Sequence, residues 1–132
     1  MRFITRDTDY GLRALIYMAK LKGKTASVDE IAEKGRLPKV FLRRILQKLA
    51  EKKILNSYKG KTGGFSLLSG PESIRVTDVI QAFQGDIDLT NCLLKGRPCP
   101  NRSLCRLRKN IKGINKLVIR ELNRITIESL AR

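Results

Sequence analysis

Residues 27–68 constrain the fold of this chain more than any other stretch. Ser27-Val28-Asp29-Glu30 has the form of a capping box, which starts a helix, and Gly35 can end that helix in the left-handed conformation. Pro38 suits the first turn of a third helix, because its missing N–H would have no partner there. The apolar side chains of this third helix recur at intervals of three and four residues: Leu42, Ile45, Leu46 and Leu49. The pattern is that of a helix-turn-helix.

A predicted hairpin follows the third helix directly. Residues 54–59 and 65–68 are short strand-like runs, and the turn between them is basic and rich in glycine. A basic hairpin behind a helix-turn-helix is a wing. A first helix over residues 10–22, capped by Thr8, and a later one from Thr77 to about Gly85 complete this unit. The predicted fold class is mainly α-helical with a small β-hairpin, a winged helix-turn-helix over residues 1–84.

Positive charge is concentrated in two blocks. The chain has 28 lysines and arginines, 12 aspartates and glutamates and no histidine, which gives a formal net charge of +16. Residues 34–61 carry ten basic side chains and one acidic one, and residues 95–120 carry nine basic side chains and no acidic one. Such a charge favours a polyanionic partner, here double-stranded DNA. The predicted DNA contacts lie on the third helix and the wing: Lys39, Val40, Arg43, Arg44, Lys59 and Lys61.

The composition also excludes several classes of protein. Without histidine the chain has no Ser–His or Cys–His nucleophile and lacks the commonest transition-metal ligand, so an enzyme is not expected. No apolar run approaches the roughly 18 residues of a membrane span, and residues 1–7 show no signal peptide. We therefore expect a cytoplasmic protein without a membrane partner, in which cysteines are thiols or ligands rather than disulfides.

The cysteines lie in a loop predicted over residues 85–105, which contains glycine and proline but no periodic pattern. Cys92, Cys99 and Cys105 are spaced so that their thiolates can converge on an iron–sulfur cluster or on zinc. The wide gaps count against zinc, since structural zinc sites favour closely spaced cysteine pairs. The surrounding cations would stabilise thiolates. The residues alone leave the fourth ligand open, as a backbone nitrogen, an exogenous thiol or one of four carboxylates: Asp7, Asp9, Asp86 or Asp88.

A long helix is predicted from Leu104, with a short turn beginning near Thr126, and residues 104–132 form the last predicted unit. The apolar stripe of this helix can pack on the chain's own domain or pair with a second copy of the chain. The second alternative predicts a homodimer with an interface of five side chains: Leu107, Ile111, Ile114, Val118 and Leu122.

These features together resemble the bacterial iron–sulfur winged-helix transcriptional regulators, which include IscR-type and nitric-oxide-sensing NsrR-type proteins. The similar segments are residues 1–3, 8–15, 41–49, 59–65 and 99–108. The resemblance implies a transcriptional regulator, more specifically a repressor, that binds operator DNA as a homodimer held by the long helices. It also implies an iron–sulfur cluster in each subunit, through which nitric oxide, iron supply or redox state controls operator affinity.

The resemblance also bears on the fourth ligand. IscR-type proteins place a histidine three residues after the last cysteine, and here that position is Arg108, which cannot ligate iron. NsrR-type proteins instead draw an aspartate from the first helix of the partner subunit, and Asp9 lies at the matching position. This implies a cluster held by three thiolates and Asp9 of the partner subunit, and it favours 4Fe–4S over 2Fe–2S. Val40 and Arg43 depart from the IscR-type recognition helix, so that operator preference does not transfer.

Two other functions are compatible with the same sequence. One is a cluster-free thiol redox regulator on the same fold. The other is a zinc-stabilised architectural or RNA-binding protein, which would use the charge without regulation. Visible absorption from iron and sulfide in anaerobically purified protein would distinguish the cluster-controlled regulator from both of these alternatives. Stoichiometric zinc would favour the zinc-stabilised protein.

Overall fold

A computed structural model describes residues 3–90, 100 and 104–132. Within them lie six α-helices, a short 3-10 turn at Pro71–Ser73 and two strands, in this order: α1 (Arg6–Ala19), α2 (Val28–Gly35), α3 (Lys39–Glu51), β1 (Leu55–Tyr58), β2 (Gly64–Leu67), α4 (Val76–Gln84), α5 (Arg106–Asn123) and α6 (Ile127–Ala131). This order confirms the predicted mainly helical fold class with one hairpin.

The hydrophobic core is shared by α1, α2, α3, α4 and α6. On α3 the predicted apolar stripe is the buried one, since Leu42, Ile45, Leu46 and Leu49 are each at most 1% exposed. Burying a side chain of this size stabilises the fold by about 1.5–3 kcal/mol. Gly11 of α1 faces α4 so closely that a Cβ there would lie 2.7 Å from the Phe83 ring. The core thus fixes α3 against the body of the protein and leaves its other side outward.

The wing is an antiparallel hairpin that is attached to the helix-turn-helix. Its register runs from Leu55 opposite Leu67 to Tyr58 opposite Gly64, and Gly60 in the turn has a φ of 101°. The chain before α2 adds a further pairing, because Ala26 and Phe65 exchange two backbone hydrogen bonds of 2.9 and 2.8 Å. The hairpin therefore has a fixed position relative to α2.

Gly64 is required where the wing meets this segment, because a Cβ on it would overlap the Ala26 carbonyl oxygen. Backbone cannot rotate away as a side chain can, so Gly64→Ala is expected to lower the free energy of unfolding by about 2–3 kcal/mol. Chemical denaturation measures this change. Gly113→Ala is the control: a Cβ added there would have no neighbour within 4 Å, and alanine should stabilise α5 by up to about 1 kcal/mol. A parent-like midpoint for Gly64→Ala would contradict the close approach.

The predicted start of α1 is wrong. The helix begins at Arg6, and the Thr5 hydroxyl caps it by accepting a hydrogen bond from the Thr8 N–H at 3.4 Å. Thr8 lies in the first turn, is fully buried, and donates its hydroxyl to Gln84 Oε1 at 2.7 Å. Gln84 also accepts from the Thr5 N–H at 3.0 Å and donates to the Phe3 carbonyl at 3.1 Å. Thr8 therefore ties the end of α4 to the start of α1 instead of capping a helix.

The predicted limits of α2 and α3 are nearly correct. Ser27 caps α2, since its hydroxyl accepts from the Glu30 N–H at 3.1 Å. Gly35 is the last helical residue, and the left-handed position is Arg36, with a φ of 53°. Pro38 is the N-cap of α3 rather than part of its first turn. These shifts of one residue leave the predicted helix-turn-helix intact.

The predicted cap of α4 is wrong as well. Thr77 lies inside this helix and donates its hydroxyl to Asn123 Oδ1 at 2.6 Å, which joins α4 to the end of α5. The first turn is closed instead by Asp78, whose carboxylate accepts from the Arg75 N–H at 2.9 Å. Gly85 ends the helix, as predicted.

The helices α5 and α6 differ sharply in burial. None of the residues of α5 is fully buried, although Leu122 at its end packs against the core. Ile127 of α6 is fully buried, and α6 packs against α1. Two backbone hydrogen bonds of 2.9 Å hold the chain at the start of α6. The Val76 N–H donates to the Ile125 carbonyl, and the Ile127 N–H donates to the Ile74 carbonyl. Among the described residues, no helix is both long and apolar enough to span a lipid bilayer.

Candidate nucleic-acid interface and cysteine loop

The outward side of α3 carries all four of its predicted DNA contacts. Lys39, Arg43 and Arg44 are exposed, and Val40 is 86% exposed although it is apolar. Gln47, which was not a predicted contact, extends the same face by one turn and is also exposed. Because the opposite side of the helix is buried, this face has a fixed orientation.

Lys39 and Arg44 each pair with a carboxylate of a neighbouring helix. Lys39 Nζ lies 2.5 Å from Asp29 Oδ1 of α2. Arg44 Nη2 lies 3.2 and 3.4 Å from the two carboxylate oxygens of Asp7 in α1. Two cations of α3 are thus oriented by carboxylates of two other helices.

Phe41 lies beside Arg44 and holds a second arginine. The Arg6 guanidinium carbon lies 4.2 Å from the centre of the Phe41 ring, and that of Arg44 lies 5.8 Å from it. At these distances both cations are attracted to the ring face. Arg6 and Phe41 were missed as functional candidates, although an aromatic residue next to an arginine pair on a basic helix is a usable signal.

The wing places Lys59 and Lys61 in the turn between the strands, where both are exposed. They belong to a different element from the α3 residues, so the predicted contacts form two sets, one on the helix and one on the wing. Arg36 is exposed in the left-handed turn between α2 and α3 and adds a cation that was not among the predicted contacts.

Of the predicted cluster ligands, Cys92 and Cys99 lie outside the described residues. Cys105 is the N-cap of α5, and its sulfur accepts a hydrogen bond from the Arg108 N–H at 3.4 Å. It is half-buried. The sulfur thus lies at the positive end of an 18-residue helix. A thiolate ligand fits these surroundings. No group of three metal-ligating side chains occurs among residues 3–90, 100 and 104–132.

The four candidate carboxylates have different surroundings. Asp7 binds Arg44, and Asp86 accepts from Gln81 Nε2 at 3.1 Å. Asp88 accepts hydrogen bonds from the hydroxyl and N–H of Thr90, which lower the pKa of its carboxyl group.

Asp9 lies in an open cleft between α1 and the turn before α3. Its carboxylate pairs with Arg13 Nε at 3.0 Å, and Arg6 and Arg36 line the same cleft. Its side chain is 43% exposed. A group of a second subunit can therefore reach Asp9 from outside.

The predicted interface stripe on α5 is divided between two environments. Leu107 and Ile114 are 67% and 51% exposed, whereas Ile111 and Val118 are half-buried and Leu122 packs on the chain's own core. Leu117, also 51% exposed, was missed. On another side of the helix, Asn115 bonds to the backbone of residues 87 and 89. One side of α5 thus contacts its own domain and another presents uncovered apolar side chains.

Comparison with known proteins gives a family match over nearly the whole chain. The family model described as Rrf2, iron-dependent transcriptional regulator, matches residues 4–132. A protein of Aquifex aeolicus (strain VF5) that is named as an HTH-type transcriptional regulator is 34% identical over 90 residues, which cover 68% of this chain and 62% of the relative. The match therefore spans less than two thirds of that relative.

Solved structures share the fold. CymR, the global cysteine regulator of B. subtilis, is 28% identical with a TM-score of 0.76, and the match covers 99% of this chain and 97% of that one. The oxidized form of Staphylococcus aureus CymR is 25% identical with a TM-score of 0.72, covering 100% and 97%. IscR of T. potens is 21% identical with a TM-score of 0.75, covering 98% and 85%.

Proposed function

Because this chain belongs to the Rrf2 family of transcriptional regulators, we propose that it is a repressor that binds operator DNA as a homodimer under the control of an iron–sulfur cluster. Members of this family are regulators and not enzymes, as the absence of histidine predicted. The observation that carries the DNA-binding part is the outward face of α3, where Lys39, Arg43 and Arg44 surround the exposed Val40.

The face of α3 is suited to a major groove. A helix that enters the groove contacts base edges with side chains near its start, and Lys39, Val40 and Arg43 lie in the first five residues of α3. Arg44 can donate two parallel hydrogen bonds to guanine, and Val40 can contact a thymine methyl group. Lys59 and Lys61 of the wing then bind phosphates or the minor groove beside it.

The wing contribution is tested by replacing Lys59 and Lys61 with alanine. Each lost phosphate contact should reduce the log–log slope of affinity against salt by about 0.9, so the double variant should lose about 1.8. Titration of labelled duplex at several salt concentrations measures this slope. Lys20→Ala and Lys24→Ala, at and after the end of α1, provide a control with the same loss of charge. An unchanged slope for the wing variant would exclude the wing from the interface.

We assign Cys92, Cys99 and Cys105 as cluster ligands and Asp9 of the partner subunit as the fourth, with 4Fe–4S favoured. The support is the Cys105 thiol at the positive end of α5, the exposed Asp9 carboxylate and the iron-dependent family description. When bound, the cluster supplies a group that reacts with nitric oxide or oxygen. A carboxylate binds iron more weakly than a thiolate does, so Asp9 would be the most easily displaced ligand.

A second candidate is regulation by the thiols themselves, without a cluster. It is favoured by the likeness to CymR of B. subtilis, which is described as the global cysteine regulator, and to the oxidized form of Staphylococcus aureus CymR. Purification without oxygen decides between the two. A brown protein with iron and sulfide in equal amounts supports the cluster, and a colourless protein with three titratable thiols supports the second candidate.

A further inference from the structure

Two carboxylates pair with cations of α3, the proposed DNA-reading helix. They are uncommon groups in this chain, which has 28 basic and 12 acidic side chains. Asp29 of α2 pairs with Lys39, and Asp7 of α1 pairs with Arg44. The two acids thus hold two of the cations that are proposed to contact DNA. Negative charge at these two positions weakens the general attraction between the protein and DNA.

Asp29 is ionised while it holds Lys39. The hydrogen bond from Lys39 and the charges of Lys39 and Arg43 lower the pKa of the Asp29 carboxyl group. Its side chain is 73% exposed. A phosphate that approaches Lys39 is therefore repelled by this carboxylate and competes with it for the ammonium group, which reduces the free energy gained from a phosphate contact.

Asp7 both pairs with Arg44 and orients it. Its two oxygens lie at 3.2 and 3.4 Å from Arg44 Nη2, and the Phe41 ring is close to the same guanidinium. A guanidinium has five N–H donors in a fixed plane, so the donors on Nε and Nη1 stay available. Arg44 can thus donate to a base edge while Asp7 still holds it. A phosphate carries a negative charge and is repelled by the Asp7 carboxylate, whereas a base edge is neutral.

We propose that Asp7 and Asp29 determine the specificity of DNA binding: they suppress phosphate contacts, which every sequence offers, and Asp7 keeps Arg44 aimed at base edges. Non-specific affinity depends almost entirely on phosphate contacts, whereas discrimination depends on base contacts. The carboxylates therefore lower binding to unrelated DNA more than binding to the correct site. This inference rests on the proposed operator-binding function.

In the test, the unsubstituted 132-residue chain, the parent, first selects duplexes from a random-sequence library. Affinity is then measured for the selected duplex and for an unrelated duplex of equal length. Asp29→Asn should bind the unrelated duplex about tenfold more tightly, with a salt slope steeper by about 0.9. Asp7→Asn should do the same and should also bind the selected duplex more weakly. The ratio of the affinity for the selected duplex to the affinity for the unrelated one should fall several-fold for Asp29→Asn and by more than about tenfold for Asp7→Asn.

Glu128→Gln is the matched control. Glu128 pairs with Arg132 in α6, so this variant gains the same unit of charge away from α3 and should keep the parent ratio within about twofold. Thermal melting verifies that each variant is folded. If the ratio for both aspartate variants stays within the control range, the inference is overturned, because general attraction then explains any gain. If the parent selects no sequence at all, the proposed operator binding itself fails, which is a separate outcome.

Discussion

Replacing Ile114 by glutamate is expected to convert the proposed dimer into a monomer. Ile114 is 51% exposed in the single chain, so the variant leaves the core of each subunit intact. In a symmetric dimer the same surface of α5 meets its copy, and both new carboxylates would be buried without a partner. This costs several kcal/mol, enough to raise the dimer dissociation constant by about a thousandfold.

Sedimentation at several concentrations measures that constant. Lys116→Glu places a glutamate on the same helix at an exposed position outside the predicted stripe, and it should leave the dimer unchanged. Leu107→Glu should behave as Ile114→Glu does, because Leu107 is exposed on the same stripe. If neither stripe variant changes the dissociation constant, the stripe does not form the dimer interface.

Replacing Cys92, Cys99 or Cys105 singly by alanine is expected to abolish visible cluster absorption, since two thiolates and one carboxylate hold iron too weakly. For Cys105 the alanine also removes the acceptor of the Arg108 N–H, which costs the start of α5 about 1 kcal/mol. Cys105→Ser separates the two effects, because its hydroxyl can still cap the helix. Iron and sulfide content, measured beside sedimentation, should fall to zero while the dimer persists. Normal absorption in all three alanine variants would exclude a cysteine-bound cluster.

The same measurements address Asp9. Asp9→Asn is expected to assemble a cluster on the three thiolates but to shift its spectrum and shorten its lifetime in air, because the neutral amide is a poorer ligand. Asp88→Asn is the control, since the Asp88 carboxylate is already bound by Thr90. A parent-like spectrum and lifetime for Asp9→Asn would leave Asp9 as the partner of Arg13 only.

Local rules were sufficient to predict most of the helix-turn-helix and the wing. The stripe of α3 has helical periodicity and is buried, and Gly60 and Gly63 lie in a real turn between the two strands. Such features depend on residues within one or two turns of each other, so their signal is present in the sequence itself. Errors of this kind were small, such as the left-handed residue at Arg36 instead of Gly35.

Contacts between distant residues could not be predicted in this way. Threonine commonly caps helices, but the Thr8 side chain bonds to Gln84 and the Thr77 side chain bonds to Asn123. No periodicity indicates which distant helix end a threonine will meet. The ion pairs of Asp7 and Asp29 with α3 are of the same type, since a carboxylate in the first turn of a helix is equally expected from the helix dipole alone. The residue types of the candidate DNA-binding site could therefore be predicted from the sequence. The contacts that orient these side chains could be found only in the folded structure.

The packing of α6, near the end of this sequence, against α1, near its start, affects how the chain folds during synthesis. Ile127 completes the core in which Leu15 and Met18 are buried, yet it is made more than a hundred residues after them. The amino-terminal part therefore cannot close its core while the later part is still in the ribosome, although multidomain proteins commonly fold from the amino terminus onward. Contacts of such large sequence separation also slow folding. A nascent chain stalled before residue 127 should thus expose apolar surface and depend on chaperones until the last helix emerges.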